Sequence, residues 1–219
     1  MKNDNQLQKD VVAELSWEPC IQSKDIAVSV KDGIVTLNGN VPTYAEKFAA
    51  ESAAKRVTGV SGIAEELKVN LTNAHQRNDG DIAKAATVAL AGNTSIPQEQ
   101  VKVVVENGWV TLTGELEWNY QRDYAHNAVR HLIGVKGVSN DLVVKALTVS
   151  ALDVRGKIET TLKRIMQRAS DKITIEATDG IVRLQGKVHT WEERNDAGKA
   201  AWSAPGVSMV ENNQVVSYY

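Results

Sequence analysis

The stretch Ile26–Val41 reads IAVSVKDGIVTLNGNV, and the chain writes it twice more, as VKVVVENGWVTLTGEL at Val101–Leu116 and ITIEATDGIVRLQGKV at Ile173–Val188. Gly33, Gly108 and Gly180 hold one place in this pattern, 75 and 72 residues apart, and Gly39, Gly114 and Gly186 keep the same offsets. Apolar residues alternate ahead of each Asp-Gly or Asn-Gly pair: Ile26, Val28 and Val30, then Val101, Val103 and Val105, then Ile173, Ile175 and Ala177. Alternation of this kind is the period of a strand. Asp-Gly and Asn-Gly tolerate positive φ at both central positions, as a type I′ turn demands. Each copy is therefore a hairpin. The later glycine, near the end of the second strand, predicts a bulge or close packing by a helix. The repeat is longer than most solenoid repeats, and each copy has room for a small core of its own.

Helical spacing precedes each hairpin. Leu7, Val11 and Leu15 recur at i, i+4, i+8 until Pro19 stops the helix; Ile82, Ala86, Ala89 and Leu90 follow in the second copy, and Val154, Ile158, Leu162 and Ile165 in the third. A second helix follows the hairpin. Thr43 with Glu46 and Thr190 with Glu193 fit a capping box, while the middle copy has Trp118 at that place, so Asn119 is expected to cap. Small residues line its inner stripe: Ala50, Ala53 and Ala54, then Ala125 and Ala128, then Ala197, Ala200 and Ala201. Gly59, Gly134 and Gly206, each followed by Val, fit a left-handed C-cap. A last short strand carries Leu67 and Val69, Leu142 and Val144, or Gln214 and Val216. A right-handed crossover from the second strand to the third puts both helices on one face. The predicted class is α+β: three tandem αββαβ modules at residues 1–72, 78–146 and 150–219, each a three-stranded mixed sheet with two helices on one face. Short linkers, Leu71–Asn78 and Lys145–Ser150, join them.

Composition bounds the function. Residues 1–74 carry eight basic and ten acidic groups, residues 75–146 seven and eight, and residues 147–219 ten and nine, for a net charge of −2. No module has the basic excess that neutralises nucleic-acid phosphates, so a nucleic-acid partner is not expected. Cys20 is the single cysteine; an intrachain disulfide is excluded, and a partly buried, inert thiol is expected. No apolar run is long enough to span a bilayer, and the first residues lack the apolar stretch of a secretory signal. A cytoplasmic protein is expected, or a periplasmic one if a leader has been trimmed away.

On these residues the chain resembles the BON domain, named for bacterial osmotically inducible and nodulation proteins. The resemblance rests on the three Asp/Asn-Gly hairpins and on Gly-x-Val at Gly39–Val41 and Gly186–Val188. It also rests on the Gly-Val elements Gly59–Ile63, Gly134–Val138 and Gly206–Val210. It implies a non-enzymatic, often stress-related module that binds anionic phospholipid or helps envelope proteins hold together. It brings no catalytic motif and no cofactor. Many members carry a secretory or lipoprotein signal; this chain shows none, so a membrane role is expected at the inner leaflet.

Three surfaces are candidates for contact. On the opening helix of the third module, Lys157, Arg164 and Arg168 form a partly aligned basic row beside the apolar stripe. Such a row can meet anionic headgroups at about 1 kcal/mol per cation; an ordinary solvated face is the competing reading. Trp118, Tyr120, Tyr124 and Trp191 gather where the second helix begins, with Tyr44 in the first copy. Rings at such an elbow suit a membrane interface or a protein hot spot, or else lock the helix onto its hairpin or a neighbouring module. Alternation sends Ile34, Trp109 and Ile181 to the sheet face opposite the helices, with Val104 and Val143 beside Trp109. Packing of one module on another is the economical use of those faces, with homo-oligomerisation or a separate protein as alternatives. Gly33, Gly108 and Gly180 are structural turn residues. His75, His126, His131 and His189 have no metal-ligand spacing, and no phosphate-binding loop is present. Neither metal nor catalysis is expected. The expected function is weak, repeated binding of an anionic phospholipid surface or a protein partner. Self-assembly without lipid, and sensing of a small solute or cation, are the alternatives.

Overall fold

The computed structural model describes residues 3–145, 151–165 and 173–217. The first module runs α1 (Asp4–Trp17), β1 (Ile26–Lys31), β2 (Ile34–Val41), α2 (Tyr44–Arg56) and β3 (Gly62–Val69). The second runs α3 (Asp79–Ala91), β4 (Val101–Glu106), β5 (Trp109–Leu116), α4 (Asn119–Arg130) and β6 (Gly137–Val144). The third runs α5 (Ala151–Ile165), β7 (Ile173–Thr178), β8 (Ile181–Val188), α6 (Trp191–Trp202) and β9 (Met209–Val216). Three separate sheets result, ordered β1-β2-β3, β4-β5-β6 and β7-β8-β9. In the first and third, an antiparallel hairpin is joined to a parallel third strand, with Ile34 opposite Gly62 and Ile181 opposite Met209.

The hairpins close as the sequence predicts. Lys31 pairs with Ile34 across a two-residue loop, and φ is +52° and +76° at Asp32 and Gly33, +52° and +82° at Asn107 and Gly108, and +50° and +79° at Asp179 and Gly180. Alternation decides which side chains are covered. Val35, Leu37, Val110, Leu112, Val182 and Leu184 have no solvent exposure. In the first and third modules they pack with helix stripes of alanine, Ala50, Ala53 and Ala54 in α2 and Ala197, Ala200 and Ala201 in α6. Truncating one such leucine costs about 2–5 kcal/mol, because the cavity left behind collapses only in part.

Two local expectations are corrected. Gly39 marks no bulge: it pairs in register with Ile26, and a Cβ there would run into the carbonyl oxygen of Asp25, so the close neighbour is the short 3-10 turn Ser23–Asp25 leading into β1 rather than a covering α-helix. The glycines of the Gly-Val elements do take positive φ, but α2, α4 and α6 end at Arg56, Arg130 and Trp202. The glycine therefore shapes the turn into the next strand rather than capping the helix.

The chain packs as two compact units, Met1–Gly114 with Asp123–Asp141, and Glu115–Arg122 with Leu142–Tyr219. Inside the first, Tyr44 and Phe48 of α2 meet α4. The His126 ring lies 5.5 Å from Phe48 and 6.4 Å, edge-on, from Tyr44, and the Arg130 guanidinium stands 4.5 Å from the Phe48 centroid. A cation over a ring contributes about 0.5–2 kcal/mol, more as water is excluded. The first two modules thus meet through helices. The sheet-face residues Ile34 and Trp109 of these two modules stay exposed.

Candidate interaction surfaces

The opening helices of the first two modules are tied to their hairpins by a feature the sequence reading missed. In the first module, Asp4 Oδ2 accepts from Asp32 N at 2.8 Å and Oδ1 from Gly33 N at 3.1 Å. In the second, Asp79 repeats this on Asn107 N at 2.8 Å and Gly108 N at 2.9 Å. The available signal was an aspartate 29 residues ahead of the turn glycine in both copies.

The entrance to each second helix divides by residue type. Thr43 Oγ1 accepts from Glu46 N at 3.2 Å and Thr190 Oγ1 from Glu193 N at 3.0 Å. The glutamates, however, reach outside the box: Glu46 takes Gln22 N at 2.6 Å and Glu193 takes His189 N at 2.7 Å. In the middle copy Asn119 is the first helical residue rather than the cap. Gln121, buried, turns its amide oxygen back to Glu117 N at 3.2 Å and Trp118 N at 3.1 Å. Gln121 stands at the repeat position of Glu46 and Glu193 and, like Glu193 on His189 N, takes backbone donors just ahead of the helix.

The aromatics at this elbow do not form one cluster. Tyr44 is used in the α2–α4 contact, where burial first and Glu51 second push its hydroxyl above the ordinary pKa. Trp191 carries Arg194, whose guanidinium lies 5.2 Å from the ring centroid. Trp118 is half-buried, whereas Tyr120 and Tyr124 are exposed. Among the described residues the most exposed aromatic lies elsewhere: Trp17, at the end of α1, is 86% exposed. Its place two residues beyond Leu15, off the Leu7, Val11, Leu15 stripe, was the sequence signal for it.

On the basic helix, Lys157 and Arg164 are exposed, and Arg168 lies outside the described residues. Arg155 spends its charge on Glu159, Nε to Oε1 at 2.7 Å. Lys157 borders a groove of about 540 Å³ between α5 and α6, with Thr161 and Ser203 on its walls. In the first module the corresponding gap is bridged by Arg56, which bonds Glu14 and Glu18 at 2.9 Å each. Ser203 and Thr161 stand where Arg56 and Glu14 stand, 147 residues on, so in the third module that bridge is missing.

The outer sheet faces carry scattered apolar side chains among polar ones such as Asn38, which bonds Glu66, and Arg183, which pairs with Glu211. Ile34 and Trp109 are each 49% exposed, and Val104, Val143, Met209 and Val215 are exposed too; Ile181 is half-covered. Trp109 lies flat over Gly137, where any Cβ would strike the ring, and its Nε1 donates to Ser139 Oγ at 2.9 Å. Cys20 corrects another expectation. Its thiol is exposed rather than partly buried, and partial desolvation with the nearby Glu18 carboxylate raises its pKa, which disfavours the thiolate.

The model of the BON domain matches three times, at residues 3–70, 78–146 and 153–217. The chain belongs to the BON-domain family. Among the curated relatives of this BON protein, Osmotically-inducible protein Y of Escherichia coli (strain K12) is 31% identical over 147 residues, 65% of this chain and 73% of that protein. The 21 kDa hemolysin of Actinobacillus pleuropneumoniae is 30% identical over 139 residues, 62% of this chain and 71% of the relative. Of solved structures, CdsD, a structural protein of the type III secretion system of Chlamydia trachomatis, aligns over 95% of this chain and 91% of its own at 13% identity. The TM-score is 0.27, too low for a common arrangement of elements to be inferred. Among the described residues, no helix of this BON protein is long and apolar enough to cross a membrane.

Proposed function

We propose that the chain is a non-catalytic, three-module binding protein that engages an anionic phospholipid surface through weak contacts repeated along the chain. The observation that carries this reading is apolar and aromatic exposure on the separate modules: Trp17 and Ile34 in the first, Trp109 and Tyr124 in the second, Met209 in the third. A ring presented to solvent is worth most at an interface, where its apolar body leaves water and its polar edge stays wet. Lys157, Arg164 and Arg168 supply local positive charge on a chain whose net charge would not itself draw it to a membrane. A role in stress is supported by the osmotically inducible relative.

Sedimentation with phosphatidylglycerol vesicles, against phosphatidylcholine vesicles as control, tests the reading. Preferential pelleting with the anionic lipid is expected, and replacing Lys157, Arg164 and Arg168 by alanine should weaken it by about tenfold or more. Unchanged pelleting of that variant removes the basic row from the account. A second reading, self-association, is favoured by the exposed Val104, Val143 and Val215 on sheet faces. A mass that rises with concentration in light scattering without lipid would support it in place of lipid binding.

A further inference from the structure

The two aspartate clamps are also a binding experiment carried out by the chain on itself. A type I′ turn holds two successive backbone N–H groups on one side, a concavity suited to an oxyanion. In the first module those two donors hold Asp4, and in the second Asp79, each with one oxygen per N–H at 2.8–3.1 Å.

The third module builds the same turn. Its φ values at Asp179 and Gly180 match those of the other two within a few degrees. Its glycine carbonyl is fixed in the same way: Gly180 O accepts from Ser208 N at 2.8 Å, as Gly33 O does from Ser61 N and Gly108 O from Lys136 N. The residue 29 positions before Gly180, however, is Ala151, the first residue of α5. A methyl group accepts no hydrogen bond, and among the described residues no side chain takes Asp179 N or Gly180 N. The carboxylate of Asp179 itself is no obstacle, since Asp32 holds the same place in the first turn and Asp4 still binds there.

We propose that the Asp179–Gly180 turn of the third module is an oxyanion site, receiving from outside the module the pair of oxygens that Asp4 and Asp79 supply within theirs. Its ligand is a carboxylate or phosphate, bound through two backbone N–H groups. The site does not depend on the exposed aromatics or on the basic row of α5.

The test is amide chemical shifts of the full ¹⁵N-labelled chain titrated with sodium acetate or inorganic phosphate, with sodium chloride at matched ionic strength as control. Asp179 and Gly180 should shift saturably, while Asp32, Gly33, Asn107 and Gly108 stay fixed. Ala151→Asp should abolish the response by installing an internal carboxylate. Asp4→Ala should move a like response onto Asp32 and Gly33. Phosphatidylglycerol vesicles form a further arm: a response to them but not to free phosphate assigns a lipid headgroup, and the reverse assigns a free anion. No saturable shift at Asp179 and Gly180 with any probe overturns the site, and so do equal shifts at all three turns or an undiminished response in Ala151→Asp. Vesicle pelleting that persists while these amides stay silent would leave the lipid reading standing without it.

Discussion

Gln214 occupies a core position that the other modules fill with Leu67 and Leu142, two and one repeat intervals earlier. It is 5% exposed, and among the described residues neither its side-chain amide nitrogen nor its side-chain amide oxygen has a hydrogen-bond partner. An amide taken out of water without compensation costs about 1–3 kcal/mol, and leucine is close to it in size. Gln214→Leu should therefore stabilise the third module by about 1–3 kcal/mol, read as slower hydrogen exchange at the amides of β8 and β9. Unaltered or faster exchange there would show that the amide is satisfied in solution. The glutamine was plain in the sequence, but its cost was not, because cost depends on whether a partner comes within reach after folding.

At the scale of elements, the α2–α4 contact carries a titratable group. His126 is half-buried against Tyr44 and Phe48 of α2. Burial first, and Arg130 second, lower its pKa below the ordinary 6.5; Asp123 opposes them, and His131, just past the end of α4, adds to them. A lowered histidine pKa means that the unfolded chain takes up the proton more readily than the folded one. The stabilisation is then complete above about pH 6.5 and declines as the pH falls through that value. Acidifying from about pH 7.5 to about 5.5 should lower the melting temperature of the wild type more than that of His126→Gln. Equal slopes would remove His126 as the cause. Elements were also where the sequence was most legible and least complete. Hairpins, helices and buried stripes are local patterns, and Val35, Leu37 and their counterparts lie where alternation put them. The Asp4 and Asp79 clamps, the Gln121 cap and the bond from Glu46 to Gln22 N join residues through side-chain reach, which no periodicity encodes. The basic row was only partly placed: Lys157 and Arg164 are exposed on α5, and Arg168 lies outside the described residues.

Across the whole molecule, three modules multiply what one can do. Weak sites on one chain raise each other's effective concentration, so overall affinity exceeds that of any single contact by about 10²–10⁴. Trp17→Ala removes an exposed ring without touching the core. If Trp17 supplies one of the linked lipid contacts, the variant should lose about 10² in apparent affinity for phosphatidylglycerol vesicles while its circular dichroism stays that of the wild type. A loss no larger than that of a lone surface residue would mean that the modules bind one at a time. Each sheet is assembled from one continuous run of chain, and this has a consequence during synthesis. As the ribosome extrudes the polypeptide, each segment can close its hairpin and dock its crossover helix before the next has emerged, since its strands await nothing encoded downstream.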